Sequence, residues 1–176
     1  MRKSGFKVVW FLAILCVCID FFTKGWIFTS FKPAFSSYTI FPYGGHGVFQ
    51  NFFWGIDLCI QKVINLGGAW GIFSQFTIIL VGLRIALVAL LFFKLVRGSS
   101  KEKGYGCLVF ITWGALANII DYFRFSGVVD WIHLTLWGYS FPVFNIADMM
   151  ISLGVAFWAI QIIGQKRGKD RKNVVT

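Results

Sequence analysis

The stretch Val8–Ile27 reads VVWFLAILCVCIDFFTKGWI and decides the fold of this chain. It contains roughly the 20 residues that an α-helix needs to cross hydrocarbon ~30 Å thick. Backbone N–H and C=O groups find no water at that depth, so a helix must pair them internally. A cleaved signal peptide is the alternative, because three basic residues precede the run. We disfavour it, since no small-x-small cleavage site follows and Asp20 and Lys24 lie at the far end.

Three further segments fit membrane-spanning helices, at about residues 72–93, 105–120 and 144–163. The third is short, so we expect it to begin or end within the membrane interface. Hydrophobic residues make up 57% of the 176-residue chain and charged residues only 14%, which is too apolar for a soluble core of this size. We therefore predict an all-α membrane protein with four transmembrane helices, forming a single domain over residues 1–176.

The basic residues form three clusters that predict the topology. They are Arg2, Lys3 and Lys7 before the first helix, Lys94, Arg97, Lys101 and Lys103 between the second and third, and the tail 164–176 after the fourth. The positive-inside rule places such clusters, and hence both termini, in the cytoplasm. Segments 28–71 and 121–143 then face out. This distribution of the net charge of +10 disfavours nucleic acid as a partner.

The outer segment 28–71 is rich in Phe, Gly, Tyr and Trp. Two stretches within it, Ser37–Phe41 and Gly47–Phe53, favour β-strands. We expect a small β-rich unit between helices one and two that lies on the membrane surface, with aromatic side chains at the level of the lipid headgroups.

Ionisable residues near membrane depth are costly, so each is a candidate functional residue that should face the protein interior. Asp20 and Lys24 are four residues apart and share one face of the first helix. They form either a buried pair or a pair that reaches the interface by snorkelling, and spacing alone does not decide between the two. Arg84 falls near the middle of the second helix and has no evident role.

An amide and a carboxylate share one helix face twice, as Asn118 with Asp121 and as Asn145 with Asp148. Helix capping is the simpler explanation for any one of these residues. However, the topology places all of them at the outer level, together with Asp20 and Asp130. This convergence predicts a polar pocket at the interface.

Two carboxylates held close together in such a pocket share one proton, and can then act as general base and general acid toward one water. This is the chemistry of an aspartic protease. The two histidines, His46 and His133, have no evident nucleophile nearby in sequence, and His133 fits a structural role in an aromatic segment. The four cysteines show no metal-ligand spacing and fit simple packing.

Four blocks, in order along the chain, resemble the lipoprotein signal peptidase family, also called signal peptidase II or prolipoprotein signal peptidase. Asp20-Phe-Phe-Thr-Lys24 is similar to D-x-x-T-K, and Asn65–Gly71 (NLGGAWG) is similar to N-x-G-A-A-(F/W)-G. Gly114–Asp121 (GALANIID) with Gly127–Asp130 (GVVD) resembles G-A-L-G-N-x-x-D-R followed by G-x-V-V-D-F. Phe141–Asp148 (FPVFNIAD) is similar to W-P-x-F-N-x-A-D.

The resemblance implies an aspartic endopeptidase of the bacterial cytoplasmic (inner) membrane with its active site at the outer face. It implies removal of signal peptides from prolipoproteins, with cleavage before the diacylglyceryl-modified lipobox cysteine. The expected partners are diacylglyceryl-prolipoprotein substrates and membrane lipid, and the expected state is a monomer. No metal or organic cofactor is expected.

Carried over by motif, the catalytic pair is Asp130 and Asp148, although the pattern alone favours Asp121 over Asp130. The resemblance implies supporting or substrate-binding roles for eight other residues: Asp20, Lys24, Asn65, Gly67, Asn118, Asp121, Arg124 and Asn145. Two positions depart from the family pattern. Tyr122 stands where the family has arginine, a role that Arg124 or Arg84 could take over, and Ala117 stands where it has glycine.

Two other functions compete with a peptidase. A small transporter would also bury acids and amides between its helices, but should carry them along a path across the membrane. A structural membrane protein predicts that changing any single aspartate affects only stability.

Overall fold

The computed structural model describes residues 3–33, 45–66, 77–99 and 102–174. Four helices and four strands make up most of this part of the chain. The helices are α1 (Lys3–Ser30), α2 (Thr77–Arg97), α3 (Tyr105–Phe125) and α4 (Ile146–Val174). The strands are β1 (His46–Phe52), β2 (Ile56–Asn65), β3 (Val128–Leu136) and β4 (Tyr139–Ser140).

Each helix contains a segment that is long and apolar enough to cross a membrane. These segments are Gly5–Ser30, Ile78–Arg97, Tyr105–Phe125 and Ile146–Gln165. Only 11% of the α1 window is buried within the protein, so most of its apolar side chains face outward and require lipid as solvent. The prediction of four transmembrane helices is confirmed.

The helices extend beyond the predicted ends. α3 ends at Phe125 rather than at 120, because Asp121 and Arg124 find partners inside the protein and do not interrupt the helix. α1 ends at Ser30 rather than at 27, and α2 ends at Arg97 rather than at 93. α4 begins at Ile146 rather than at 144 and ends at Val174 rather than at 163. The helix thus continues into the basic tail. The predicted start of α2 at residue 72 lies outside the described residues.

One antiparallel sheet, in the order β1-β2-β3-β4, lies at the end of the bundle where α1 and α3 finish. β1 confirms the strand predicted at Gly47–Phe53, whereas Ser37–Phe41 lies outside the described residues. β3 and β4 come from the segment between α3 and α4, in which the sequence analysis predicts no strand. The sheet therefore joins both segments that link helices at this end.

Side chains fasten the sheet to the bundle. Lys62 on β2 donates from Nζ to the carbonyl of Phe28 at 2.8 Å, and lies 5.0 Å above the Phe28 ring. At the other side of the sheet, the N–H groups of Trp131 and Ile132 both donate to the carbonyl of Phe144. These backbone bonds place β3 directly beside the start of α4.

The half of the bundle away from the sheet has an apolar core. Its buried residues are Ala13, Leu95, Tyr105, Leu108, Val109 and Met150, with Trp10 and Trp113 packed edge to face at 5.9 Å. The tight approach of α3 and α4 depends on glycine. A Cβ at Gly154 would lie 2.7 Å from Cγ1 of Ile111, and a Cβ at Gly114 would lie 2.7 Å from the carbonyl oxygen of Ala147.

Candidate active site

Asn145 is the centre of a buried polar cluster at the sheet end of the bundle. Its side chain is fully buried, and its Nδ2 donates to Oδ1 of Asp130 at 2.7 Å. Its backbone N–H donates to Oδ2 of Asp148 at 3.2 Å. One residue thus contacts both carboxylates of the pair that the family motifs select, one from β3 and the other from the first turn of α4.

The same residue caps α4. The N–H of Asp148 donates to Oδ1 of Asn145 at 2.9 Å, which completes a reciprocal capping box with the Asn145 N–H. Helix capping was the simpler explanation for this pair. The structure shows that Asn145 does cap the helix, but that capping is not its whole role, because its side-chain nitrogen also donates to Asp130.

Two further asparagines complete the pair's surroundings. Nδ2 of Asn65, at the end of β2, donates to Oδ2 of Asp130 at 3.1 Å. Nδ2 of Asn118 on α3 donates to Oδ1 of Asp148 at 2.8 Å. All four carboxylate oxygens therefore accept a hydrogen bond from an amide, so both side chains are held in fixed orientations.

Lys24 lies behind the pair and is fully buried. Its ammonium contacts Oδ2 of Asp20 and Oδ2 of Asp121, each at 2.6 Å, and donates to Oδ1 of Asn118 at 2.8 Å. These three contacts equal in number the three N–H donors of an ammonium. Asp20 and Lys24 are thus a buried pair, and the snorkelling alternative is wrong. Asn118 connects this ion cluster to Asp148.

Asp20 also reaches α4. Its Oδ1 accepts a hydrogen bond from the N–H of Ala147 at 2.9 Å, within the first turn of that helix. An acidic group at this position satisfies an N–H that has no partner within the helix, and interacts favourably with the helix dipole.

Arg124 occupies the edge of the ion cluster. Its Nη1 lies 3.9 Å from Oδ1 of Asp121 and donates to the carbonyl of Phe21 at 3.3 Å, while its guanidinium stacks 3.5 Å above the Phe21 ring. Gly25 makes room for it, because a Cβ there would lie 3.2 Å from Nη2. An arginine thus reaches Asp121 although Tyr122 stands at the family position. Among the described residues, no ion pair involves Arg84.

Burial, together with the nearby charge of Asp148, raises the pKa of Asp130 from its ordinary value to about 7. The amides of Asn65 and Asn145 oppose this shift, because they stabilise the ionised form. A carboxyl group with such a pKa exchanges its proton near neutral pH, which suits general acid–base chemistry.

Most of the predicted site residues contact one another in the structure, and one of them lies outside the described residues. Asp130 and Asp148 contact a shared residue, and Asp121 contacts the lysine instead, so the geometry supports the motif-based pair over the pattern-based choice of Asp121. Gly67 lies outside the described residues. Gly114 was not singled out as a site residue, although its close approach to Ala147 fixes the distance between α3 and the turn that carries Asp148.

His133 belongs to a separate polar group in the sheet, as its predicted structural role requires. Its Nε2 lies 2.8 Å from Oγ of Ser140, and its Nδ1 lies 3.5 Å from Sγ of Cys59. Burial lowers the pKa of His133 and raises the pKa of the Cys59 thiol, so both groups favour their neutral forms. This pair bridges β2, β3 and β4 rather than forming a thiolate–imidazolium nucleophile.

Comparison with known proteins identifies the family. Residues 12–164 match the family model described as Signal peptidase (SPase) II. A lipoprotein signal peptidase from Oleidesulfovibrio alaskensis is 32% identical over 172 residues, covering 93% of this chain and 99% of the relative. One from Staphylococcus aureus is 31% identical over 164 residues, covering 93% of this chain and 92% of the relative.

Solved structures agree with this assignment. A bacterial membrane enzyme determined at 2.3 Å resolution superposes with a TM-score of 0.71 at 26% identity, covering 96% of this chain and 93% of that one. A second, at 1.9 Å, gives a TM-score of 0.66 at 27% identity, covering 92% and 94%. A transporter or a purely structural role is therefore not supported. The chain belongs to the signal peptidase II family, and is a multi-pass membrane peptidase that removes signal peptides from prolipoproteins.

Proposed function

We propose that this chain is an aspartic endopeptidase in which Asp130 and Asp148 are the catalytic pair. The observation that carries the proposal is the position of Asn145, which hydrogen-bonds to both carboxylates at once. Such an arrangement holds the two acids of one reaction at a fixed separation and orientation. The substrate is a prolipoprotein, cut before its diacylglyceryl-modified cysteine.

The reaction needs one carboxylate and one carboxylic acid. The ionised aspartate takes a proton from water, whose oxygen then forms a bond to the scissile carbonyl carbon. The protonated aspartate donates to the carbonyl oxygen, which gives a tetrahedral intermediate. As the C–N bond breaks, the aspartate that took the proton from water passes it to the leaving amine, and the other aspartate regains its proton from a hydroxyl of the intermediate. The pKa of Asp130 near 7 supports a singly protonated pair at neutral pH.

The remaining polar residues act as supports rather than as acids or bases. Asn65, Asn118 and Asn145 orient the pair through the amide bonds described above. Lys24 and Arg124 together offset the charges of Asp20 and Asp121, so these acids do not add uncompensated negative charge beside the pair. Rigid side chains on several elements are the usual means of fixing a catalytic geometry.

The active site faces the outside of the bacterial cytoplasmic membrane in this proposal, with both termini in the cytoplasm. The support comes from the basic residues Lys7, Lys94, Arg97 and Lys103, which lie near the helix ends away from the sheet. Positive residues are retained on the cytoplasmic side. The substrate's lipid and scissile bond lie near the outer headgroups, so a pair at this level meets them without either partner leaving the bilayer.

The test is cleavage of a diacylglyceryl-modified prolipoprotein by the purified wild type, Asp130→Asn and Asp148→Asn. Loss of a catalytic acid or base should lower the rate by at least about 100-fold. Asp57→Asn is the matched control, since the Asp57 carboxylate accepts from the Asn51 N–H in a sheet turn, and an amide oxygen can replace it. A thermal melt checks folding. If folded Asp130→Asn or Asp148→Asn still cleaves at the wild-type rate, the assignment of that residue is wrong.

A further inference from the structure

A partly open cavity of about 610 Å³ lies between α1, α3 and α4, toward the end of the bundle away from the sheet. Its apolar walls come from all three helices: Val9, Phe110, Leu153 and Phe157. Gly106 and Gly154 also line it, and they have no side chain to fill the space. The peptidase reaction does not use this cavity, so its walls are available for another ligand.

The cavity lies at membrane depth. Its α3 and α4 residues belong mainly to the membrane-spanning segments Tyr105–Phe125 and Ile146–Gln165. Phe110 is six residues beyond Gly104, where α3 begins, which corresponds to about 9 Å along the helix at ~1.5 Å per residue. The cavity therefore extends from headgroup level into the hydrocarbon. A lipid acyl chain suits such walls, whereas a polar ligand would lose its hydration there.

Two opposite charges lie side by side at the mouth of the cavity. Glu102 and Lys103 are the charged residues among those that line it, and both are exposed. In the described part of the chain, neither of them forms an ion pair. Oε1 of Glu102 accepts from the N–H of Ser99 at 2.9 Å, but a carboxylate has about four acceptor sites and can accept more. The mouth can thus bind a ligand that carries both charges.

The start of α3 adds partial positive charge at the same place. Gly104 is the N-cap residue, with φ 86°, and no side chain among the described residues caps the helix. A Cβ at Gly104 would lie 2.8 Å from Cδ1 of Trp158, so a capping serine or aspartate does not fit. A phosphate group beside Lys103 would also interact favourably with this helix end.

The two charges favour a zwitterionic headgroup over an anionic one. A purely anionic headgroup on Lys103 would be repelled by the Glu102 carboxylate next to it. Phosphatidylethanolamine has a phosphate that suits Lys103, and a primary ammonium that can donate to Glu102. The quaternary ammonium of phosphatidylcholine carries the same charge but has no N–H donor. The chemistry of the mouth therefore distinguishes between these two lipids.

We propose that this cavity binds one molecule of phosphatidylethanolamine. An acyl chain lies between α1, α3 and α4, the phosphate lies at Lys103 and the start of α3, and the ammonium lies at Glu102. The lipid then connects three helices where the cavity separates their side chains. The inference depends on the membrane location of the chain and not on the proposed catalytic mechanism.

The experiment measures lipid binding to the purified, delipidated full chain in detergent by native mass spectrometry. Phosphatidylethanolamine, phosphatidylcholine and phosphatidylglycerol with identical acyl chains are added in turn. We expect the wild type to bind one phosphatidylethanolamine about tenfold more tightly than either other lipid, which is the effect of one charge-assisted hydrogen bond. Equal affinity for phosphatidylethanolamine and phosphatidylcholine, or tighter binding of phosphatidylglycerol, would overturn the proposal.

Substitutions at the mouth test the two headgroup contacts separately. Glu102→Gln should remove the preference for phosphatidylethanolamine over phosphatidylcholine, because an amide oxygen can still accept from Ser99 but has no charge to attract an ammonium. Lys103→Gln should weaken binding of both lipids by a similar factor. Arg97→Gln is the matched control, since this guanidinium lies above the Phe93 ring and does not line the cavity. A Glu102→Gln protein that keeps the full preference would show that the headgroup lies elsewhere.

A second pair of variants tests the cavity itself. Cys107→Phe places a ring among the lining residues and should abolish binding, whereas Cys18→Phe makes the same change at an exposed position of α1 and should leave binding unchanged. Unchanged binding in Cys107→Phe overturns the proposal, and so does a wild-type dimer without lipid, because a second copy then fills the cavity. Thermal melts check folding, and the mouth variants still decide the outcome if Cys107→Phe does not fold. Cleavage by the same samples reports separately on the catalytic assignment.

Discussion

The two halves of the helix bundle are stabilised by different kinds of interaction, although the same helices form both. In α1, Ala13 packs into an apolar core away from the sheet, while Asp20 and Lys24, two to three turns later, form buried ion pairs. In the apolar half, the helices approach closely and are stabilised by the packing of complementary side chains. The site half is held by hydrogen bonds among groups that lipid would not tolerate singly.

This difference predicts different responses to mutation. Apolar side chains gain little from leaving lipid for another apolar surface, so packing alone stabilises the first half, and a lost methyl group is a local loss. In the site half each polar group is the partner of another, so removing one leaves others buried and unpaired. Substitutions in the apolar half should therefore lower stability alone, whereas substitutions in the site half should lower both stability and cleavage.

Lys24→Met should give the largest effect of the substitutions that leave the catalytic pair intact. It leaves Asp20 buried without a cation and Asp121 with only the more distant Arg124, and breaking a buried ion pair in this way typically costs about 3–5 kcal/mol of folding free energy. Unfolding in detergent measures this. The control is Asp20→Asn/Lys24→Met/Asp121→Asn, which removes all three charges and should recover much of the stability. A Lys24→Met protein as stable as the wild type would show that the ion cluster is not what holds this half together.

A matched pair of glycines tests the two halves on the same two helices. Gly114→Ala places a Cβ against the backbone oxygen of Ala147, and should cost about 1–3 kcal/mol. Because Asp148 follows Ala147 directly, the same change should also slow cleavage. Gly154→Ala meets Cγ1 of Ile111 and the backbone oxygen of Cys107, which lie away from the catalytic pair, and should reduce only stability. Equal loss of cleavage per folded molecule in both variants would contradict the division into halves.

The pH dependence of cleavage and of stability should distinguish Asp130 from the residues around it. With a pKa of about 7, Asp130 loses its proton above neutral pH, and cleavage should then fall by up to about tenfold per pH unit. Because the folded pKa exceeds the unfolded value, the folded chain binds more protons between about pH 4 and 7, and its free energy of unfolding decreases as pH rises through that window. In Asp130→Asn, melting temperatures over this range should vary less, whereas Asp57→Asn should retain the wild-type profile.

Arg124→Gln should give the smallest effect. The guanidinium is partly exposed and lies 3.9 Å from Asp121, so its loss should cost less than about 1 kcal/mol. A change of that size corresponds to less than about fivefold in an equilibrium constant. Adding Tyr122→Arg, which restores arginine at the family position, should recover the loss. A much larger defect in Arg124→Gln would mean that this residue contacts substrate rather than only Asp121 and Phe21.

The sequence predicted the helices and the polar residues of the site better than their connections. Hydropathy located four helices, but placed the end of α3 at 120, because it treats Asp121 as an interruption and cannot detect its partner Lys24. Spacing put Asn145 and Asp148 on one helix face. It could not show that Asn145 precedes the helix and turns its amide toward a strand.

The sheet explains most of what sequence reasoning missed. Asn65 contacts Asp130 because β2 and β3 pair antiparallel, with Val63 opposite Asp130 after a register shift between Ile60 and Val63. Strand pairing between distant segments is set by tertiary packing, and a shift in register reverses which side chains share a face. The apolar character of β3 was visible, but neither its partner nor that shift can be read from a single sequence.

The hydrogen bond from Ala147 to Asp20 has a consequence for how the protein is made. These residues are 127 positions apart, and Asp121 and Asn118 must also be present before Lys24 has its full set of acceptors. α1 leaves the ribosome first and α4 last, so the charges of α1 enter the membrane long before most of their partners exist. The catalytic pair is likewise incomplete until α4 is inserted. A chain arrested during synthesis is thus inactive, and the enzyme gains its activity only when its last helix arrives.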